Sequence, residues 1–67
     1  MATALVPLAQ GCEELEAVTL IDLFRRAGVT VTVAGLEAGP VIASRGVALL
    51  PDTTLDAVLD QDFDLVV

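Results

Sequence analysis

"LFRRAGVTVTVAG", residues 23–35, decides the fold. Two arginines, Arg25 and Arg26, precede Gly28, and an alternating β-branched run follows. Cations suit the last turn of a helix, and glycine suits the residue just past its end. The period then switches from helical to two, which predicts a strand over 29–35. The stretch is a helix handing over to a strand.

Working backwards, residues 13–27 read as that helix, with Glu13, Glu14 and Glu16 near its start. Acids there complement the helix dipole as the arginines do at the other end. Gly11 offers a turn, and "ALVPLA" (4–9) predicts a buried strand. Its weak point is Pro7, which cannot donate a ladder hydrogen bond and usually belongs at an edge or bulge. Working forwards, "EAGP" (37–40) is turn material. "VIAS" (41–44) and "GVALL" (46–50) are short extended pieces around Ser44, Arg45 and Gly46. Asp52 or Thr54 could cap a short helix over 55–59, and "DFDLVV" (62–67) predicts another buried strand. The order β-α-β, a β-rich excursion, α, β implies an α/β fold with a parallel sheet and right-handed crossovers.

Composition narrows the function classes. The 67 residues are 55% hydrophobic and 19% charged, with two Phe as the only aromatics. That is too apolar for disorder and more apolar than so short a chain can hide. Parallel sheets are covered on both faces, and one full helix with one short one cannot cover three such strands. Part of the domain is therefore expected outside these residues. The net charge is −7, with Arg25, Arg26 and Arg45 as the only cations. Phosphate backbones and anionic membrane surfaces need clusters of Lys or Arg, so neither nucleic acid nor membrane is expected as a partner. No signal peptide or spanning segment is read, and the single Cys12 suits a reducing compartment, so a cytoplasmic location is expected. No metal or other cofactor is expected.

At about 100° per residue, Glu16, Leu20, Leu23, Phe24 and Ala27 share one helix arc. Glu16 is thereby expected on the apolar side, and Glu14 off it. A buried carboxylate is costly unless paired or protonated, and desolvation favours the neutral acid. The first turn after the first strand also lies at the carboxyl edge of the sheet, where α/β proteins bind ligands. Glu16 is thus a candidate functional acid, although an acid reaching solvent at a helix start fits the same pattern. Leu15 and Val18 lie off the main stripe and suggest a second buried surface or contact with a loop. Asp22 and Arg26 are spaced for an i,i+4 pair. Cys12 reads as a small inert thiol, because Glu13 and Glu14 follow it and no His is present. Arg45, between two apolar pieces, could present a fork to an anion or simply be solvated.

"ALVPLAQGCEELEAVTLIDLFRRAGVTVTVAGL" followed by "SRGVALLPDTTLDAVLDQDFDLVV" resembles the start of the ThiJ/PfpI superfamily, in its Parkinsonism-associated protein deglycase branch. "GCEELEAV", "RRAGVTVTVAGL" and "SRGV", in that order and spacing, carry the resemblance. It implies a flavodoxin-like parallel sheet sandwiched by helices, of which this chain is the N-terminal part. It also implies a homodimer. The family nucleophile, a cysteine on a strained turn after a later strand, would lie beyond Val67, so Cys12 does not match it. The family glutamate that hydrogen-bonds that cysteine matches Glu16. Arg45 matches an arginine near the active site across the dimer interface, and Arg26 another interfacial arginine. Leu15 and Val18 match dimer-contact positions. Pro7 departs from the family by replacing an ordinary apolar strand residue.

The resemblance supports two functions of different classes. One is cysteine-dependent deglycase or glyoxalase-type chemistry on a small carbonyl or glycated substrate. The other is a non-enzymatic, redox-sensing or chaperone-like dimeric stress protein in which Glu16 tunes cysteine oxidation.

Overall fold

The computed structural model describes residues 1–67. Its elements are β1 (Thr3–Leu8), α1 (Glu14–Arg26), β2 (Thr30–Gly35), β3 (Val41–Ile42), β4 (Ala48–Leu49), β5 (Thr53–Thr54) and β6 (Leu65–Val66), with a 3₁₀ turn at Asp56–Val58. Four strands form a parallel sheet in the order β5-β2-β1-β6. β3 and β4 form a separate antiparallel pair. The fold is α/β with a parallel sheet, as expected.

The handover at residues 23–35 is built as its residues suggest. Gly28, at φ +85°, follows the C-cap Ala27. Gly28 N–H donates to the Arg25 carbonyl and Val29 N–H to the Phe24 carbonyl. This double closure is a Schellman motif, and its left-handed residue favours glycine. At the other end Glu13 is the N-cap, its Oε1 accepting the Leu15 N–H at 2.8 Å.

Side chains alternate across the sheet. Ala4, Val6, Leu8, Val31 and Val33 point to one face, joined by Val41, and α1 lays Ala17, Ile21 and Phe24 on them. Leu5 and Ala34 point to the other face and meet Val58, Leu55 and Phe63. The helix is turned about 90° from the expected arc at 100° per residue. Leu23 and Glu16 are exposed, and Leu20 is half-buried. The apolar residues of α1 run more than halfway round it, so periodicity left two seams available. The seam with small Ala17 lies against the sheet, and small residues permit close approach.

Pro7 occupies a central strand without breaking register, standing opposite Ala34. The Ala2 carbonyl accepts from Thr30 and the Leu8 carbonyl from Leu36, just past β2, whereas Thr3 N–H and the Leu5 carbonyl bond towards β6. Odd residues of β1 therefore face β6, and the donor that proline lacks is not one that β2 needs. β1 is therefore the buried strand read from the sequence, and Pro7 is accommodated in it without the edge or bulge that proline usually needs.

Three further expectations change. The segment over 55–59 is a 3₁₀ turn with no side-chain cap. Asp52 is engaged with β2 instead, and Thr53–Thr54 form a short strand. Residues 62–67 yield only the two-residue β6, which is exposed rather than buried. Reciprocal bonds between Thr3 and Asp64 pin it, Thr3 N–H to Asp64 Oδ2 at 2.8 Å and Asp64 N–H to Thr3 Oγ1 at 3.1 Å. No neighbouring layer covers this end of the sheet here. No helix is long and apolar enough to cross a membrane.

Candidate functional site

The carboxyl ends of β1 and β6 and the first turn of α1 surround an open depression of about 240 Å³. Val6, Pro7, Leu8, Ala17, Leu20 and Val67 supply its apolar wall, and Cys12, Glu13 and Glu16 its polar and thiol groups. The position follows from topology, because strand ends and the helix start converge there.

The three acids of the first turn have three different fates. Glu13 spends its carboxylate on the N-cap. Glu14, half-buried, accepts from Ser44 Oγ at 2.8 Å through Oε1 and from the Arg45 N–H at 3.0 Å through Oε2. Partial desolvation pushes the Glu14 carboxyl up. The hydrogen bonds from Ser44 and Arg45, with the Glu14 and Val47 backbone, outweigh it and hold the group below its ordinary value. The Glu16 carboxylate makes no hydrogen bond or ion pair within the chain, and it is exposed at the rim of the depression. The expectation that Glu16 is buried beneath its helix is therefore corrected. Helix phase placed it on the seam that the sheet does not use.

The arginines divide likewise. Arg25 pairs with Asp52 at 3.3 Å, and Arg26 Nε with Asp22 Oδ1 at 3.0 Å in the i,i+4 spacing read from the sequence. Arg45 is exposed and its guanidinium has no partner. Leu15 and Val18 are 74% and 49% exposed, so no second surface covers them within this chain. Val18 also lines a separate apolar cleft of about 190 Å³ with Ile21, Leu49 and Leu50. Cys12 is half-buried against the main core, and its carbonyl accepts the Ser44 N–H at 2.8 Å.

Sequence reading missed Glu14 and Gln10. Gln10 Oε1 accepts the Ile42 N–H at 2.9 Å, and its Nε2 donates to the Pro40 carbonyl at 3.2 Å. These partners lie about thirty residues away in sequence, so no local pattern announces them.

A model described as the DJ-1/PfpI family matches residues 2–67. "Protein dj-1beta" of Drosophila melanogaster is 52% identical over 66 residues, covering 97% of this chain and 35% of that protein. "Glutathione-independent glyoxalase DJR-1.2" of Caenorhabditis elegans is 32% identical over 58 residues, covering 87% of this chain and 31% of that protein. Among solved structures, oxidized DJ-1 of Toxoplasma gondii superposes with a TM-score of 0.96 at 42% identity, over 98% of this chain and 36% of that one. The chain thus spans about a third of the length of these two relatives.

Proposed function

The chain belongs to the DJ-1/PfpI family, and from that premise we propose that it forms the N-terminal part of a cysteine-dependent domain with glyoxalase or deglycase-type chemistry. Its reading of the site is that Glu16 assists a thiol outside these 67 residues. The thiolate attacks the carbonyl carbon of a small dicarbonyl or glycated group, forming a C–S bond. The carbonyl π pair moves to oxygen, which takes a proton and gives a hemithioacetal. A carboxyl poised beside the thiol orients it and relays that proton.

One observation carries the reading. Of three adjacent acids, Glu16 alone is left without an internal partner, and it stands at the carboxyl edge of β1 and β6. The worm relative's name, a glyoxalase, supports the substrate class. Arg45 and Arg26 would support the site or its interface, and Leu15 and Val18 would be buried in a homodimer of the complete protein.

The test is methylglyoxal consumption by the complete protein. Glu16→Gln is expected to lower kcat by about 10²–10⁴-fold, the usual worth of a positioned acid–base group. Unchanged turnover in that variant removes Glu16 from the mechanism. No consumption by the parent, together with peroxide-sensitive oxidation of its cysteine, favours the redox-sensing alternative.

A further inference from the structure

Arg45 differs from the other two cations in a way that composition does not require. Ten carboxylates are available in the chain, and Arg25 and Arg26 each hold one. Arg45 holds none, yet the turn beneath it is firmly tied. Gly46 N–H donates to the Ala43 carbonyl at 2.9 Å, closing a tight turn over residues 43–46. Ser44 N–H donates to the Cys12 carbonyl at 2.8 Å, and Gly11 N–H to the Ile42 carbonyl at 2.8 Å. Glu14 completes the attachment by taking the Ser44 hydroxyl and the Arg45 N–H on its two oxygens.

Glu14 touches only the backbone of Arg45, so it does not neutralise the guanidinium by direct contact. It fixes where that side chain starts. Glu14 also lies two residues from Glu16 on one helical turn. A single carboxylate therefore couples the backbone carrying the free arginine to the backbone carrying the free acid. Charge-assisted bonds of this kind are shorter and stronger than neutral ones.

Resting on the reading that Arg45 supports the site or its interface, we infer that Glu14 is a positioning residue for Arg45, holding the 43–46 turn in fixed relation to the Glu16 turn. Glu14 itself does not touch the reacting atoms.

The test uses the complete protein with Glu14→Ala, Arg45→Ala and the double variant. Glu14→Gln is added as a milder change that keeps one amide oxygen as acceptor. Two readouts are taken, hydrogen exchange at the Arg45 amide and methylglyoxal kinetics. Glu14→Ala is expected to speed Arg45 amide exchange at least about tenfold, the loss of a hydrogen bond worth about 1.4 kcal/mol, with Glu14→Gln falling between. It is also expected to lower kcat/KM by the same factor as Arg45→Ala, and the double variant by no more than the worse single one. Unchanged exchange in Glu14→Ala overturns the inference, as do multiplicative losses in the double variant. Faster exchange in a protein whose parent form consumes no methylglyoxal upholds the tether and defeats the enzyme reading instead. Should Glu14→Ala fail to fold, the exchange and kinetics of Glu14→Gln decide alone, by the same criteria.

Discussion

Asp52 pairs with Val33 twice, accepting the Val33 N–H on its side chain at 2.9 Å and donating its own N–H to the Val33 carbonyl at 2.8 Å. One residue thus does for this point of β2 what a neighbouring strand does elsewhere. Arg25 holds the arrangement from the helix, donating to Asp52 at 3.3 Å and to the Val31 carbonyl at 3.2 Å. Asp52→Ala strands the Val33 N–H and is expected to cost about 1–3 kcal/mol. Asp52→Asn keeps an acceptor and should cost less than about 1 kcal/mol, since the exposed ion pair itself is worth little. Urea denaturation at constant m-value separates the two, and equal midpoints would sink the assignment.

Two glycines should respond differently to the same substitution. A Cβ on Gly35 would lie 3.0 Å from the Glu37 carbonyl oxygen and 3.0 Å from Pro51 Cγ. Gly35→Ala is therefore expected to cost about 1–3 kcal/mol through overpacking, and Asn there more. At Gly28 space is open but φ is +85°. Gly28→Ala should cost about 1–2 kcal/mol, with Asn recovering part of it because Asn tolerates the left-handed region. Thermal denaturation of the four variants checks the order. Asn outperforming Ala at residue 35 would contradict the steric reading.

The two seams of α1 should also separate. Phe24 is packed against the core, and Phe24→Ala is expected to cost about 2 kcal/mol, below the full-burial value because it is only half-buried. Leu23 is exposed, so Leu23→Ala should stay within about 0.5 kcal/mol. In the complete protein, Leu15→Asp or Val18→Asp should shift a homodimer towards monomer in sedimentation. Undiminished dimer in both would remove these residues from the interface.

Acid should loosen the Glu14 attachment late. Its folded value is depressed, so the stabilisation is fully present above the unfolded carboxylate value and is lost as pH falls through the folded one. Glu13 and Glu16 are the other carboxylates on the same turn, and neither contacts the Arg45 amide. The Arg45 amide resonance should therefore move only below the ordinary glutamate range, and Glu14→Gln should abolish the step. A midpoint at or above that of a solvent-exposed glutamate would refute the depression.

Residues that act on near neighbours were legible in advance. The Arg25–Arg26–Gly28 ending and the alternation after it located α1 and β2, because helix closure and strand pleat are local. The Asp22–Arg26 pair was legible for the same reason. Which seam of α1 meets the sheet was not, since Phe24 serves either arc. Glu14 was invisible because its partners are Ser44 and Arg45, and Asp52 was misassigned because capping and edge pairing ask for the same residue type. Glu16 was singled out on the expectation of burial, which the structure does not bear out. Its distinction in the structure is the lack of any partner.

Pro7 has a consequence for the far side of β1. Val67 N–H donates to the Leu5 carbonyl at 3.0 Å, and the next donor on that side would come from residue 7, which has none. At the lip of the depression β1 thus presents a lone acceptor, the Pro7 carbonyl, and a strand lying alongside is held there by one bond where two would otherwise form.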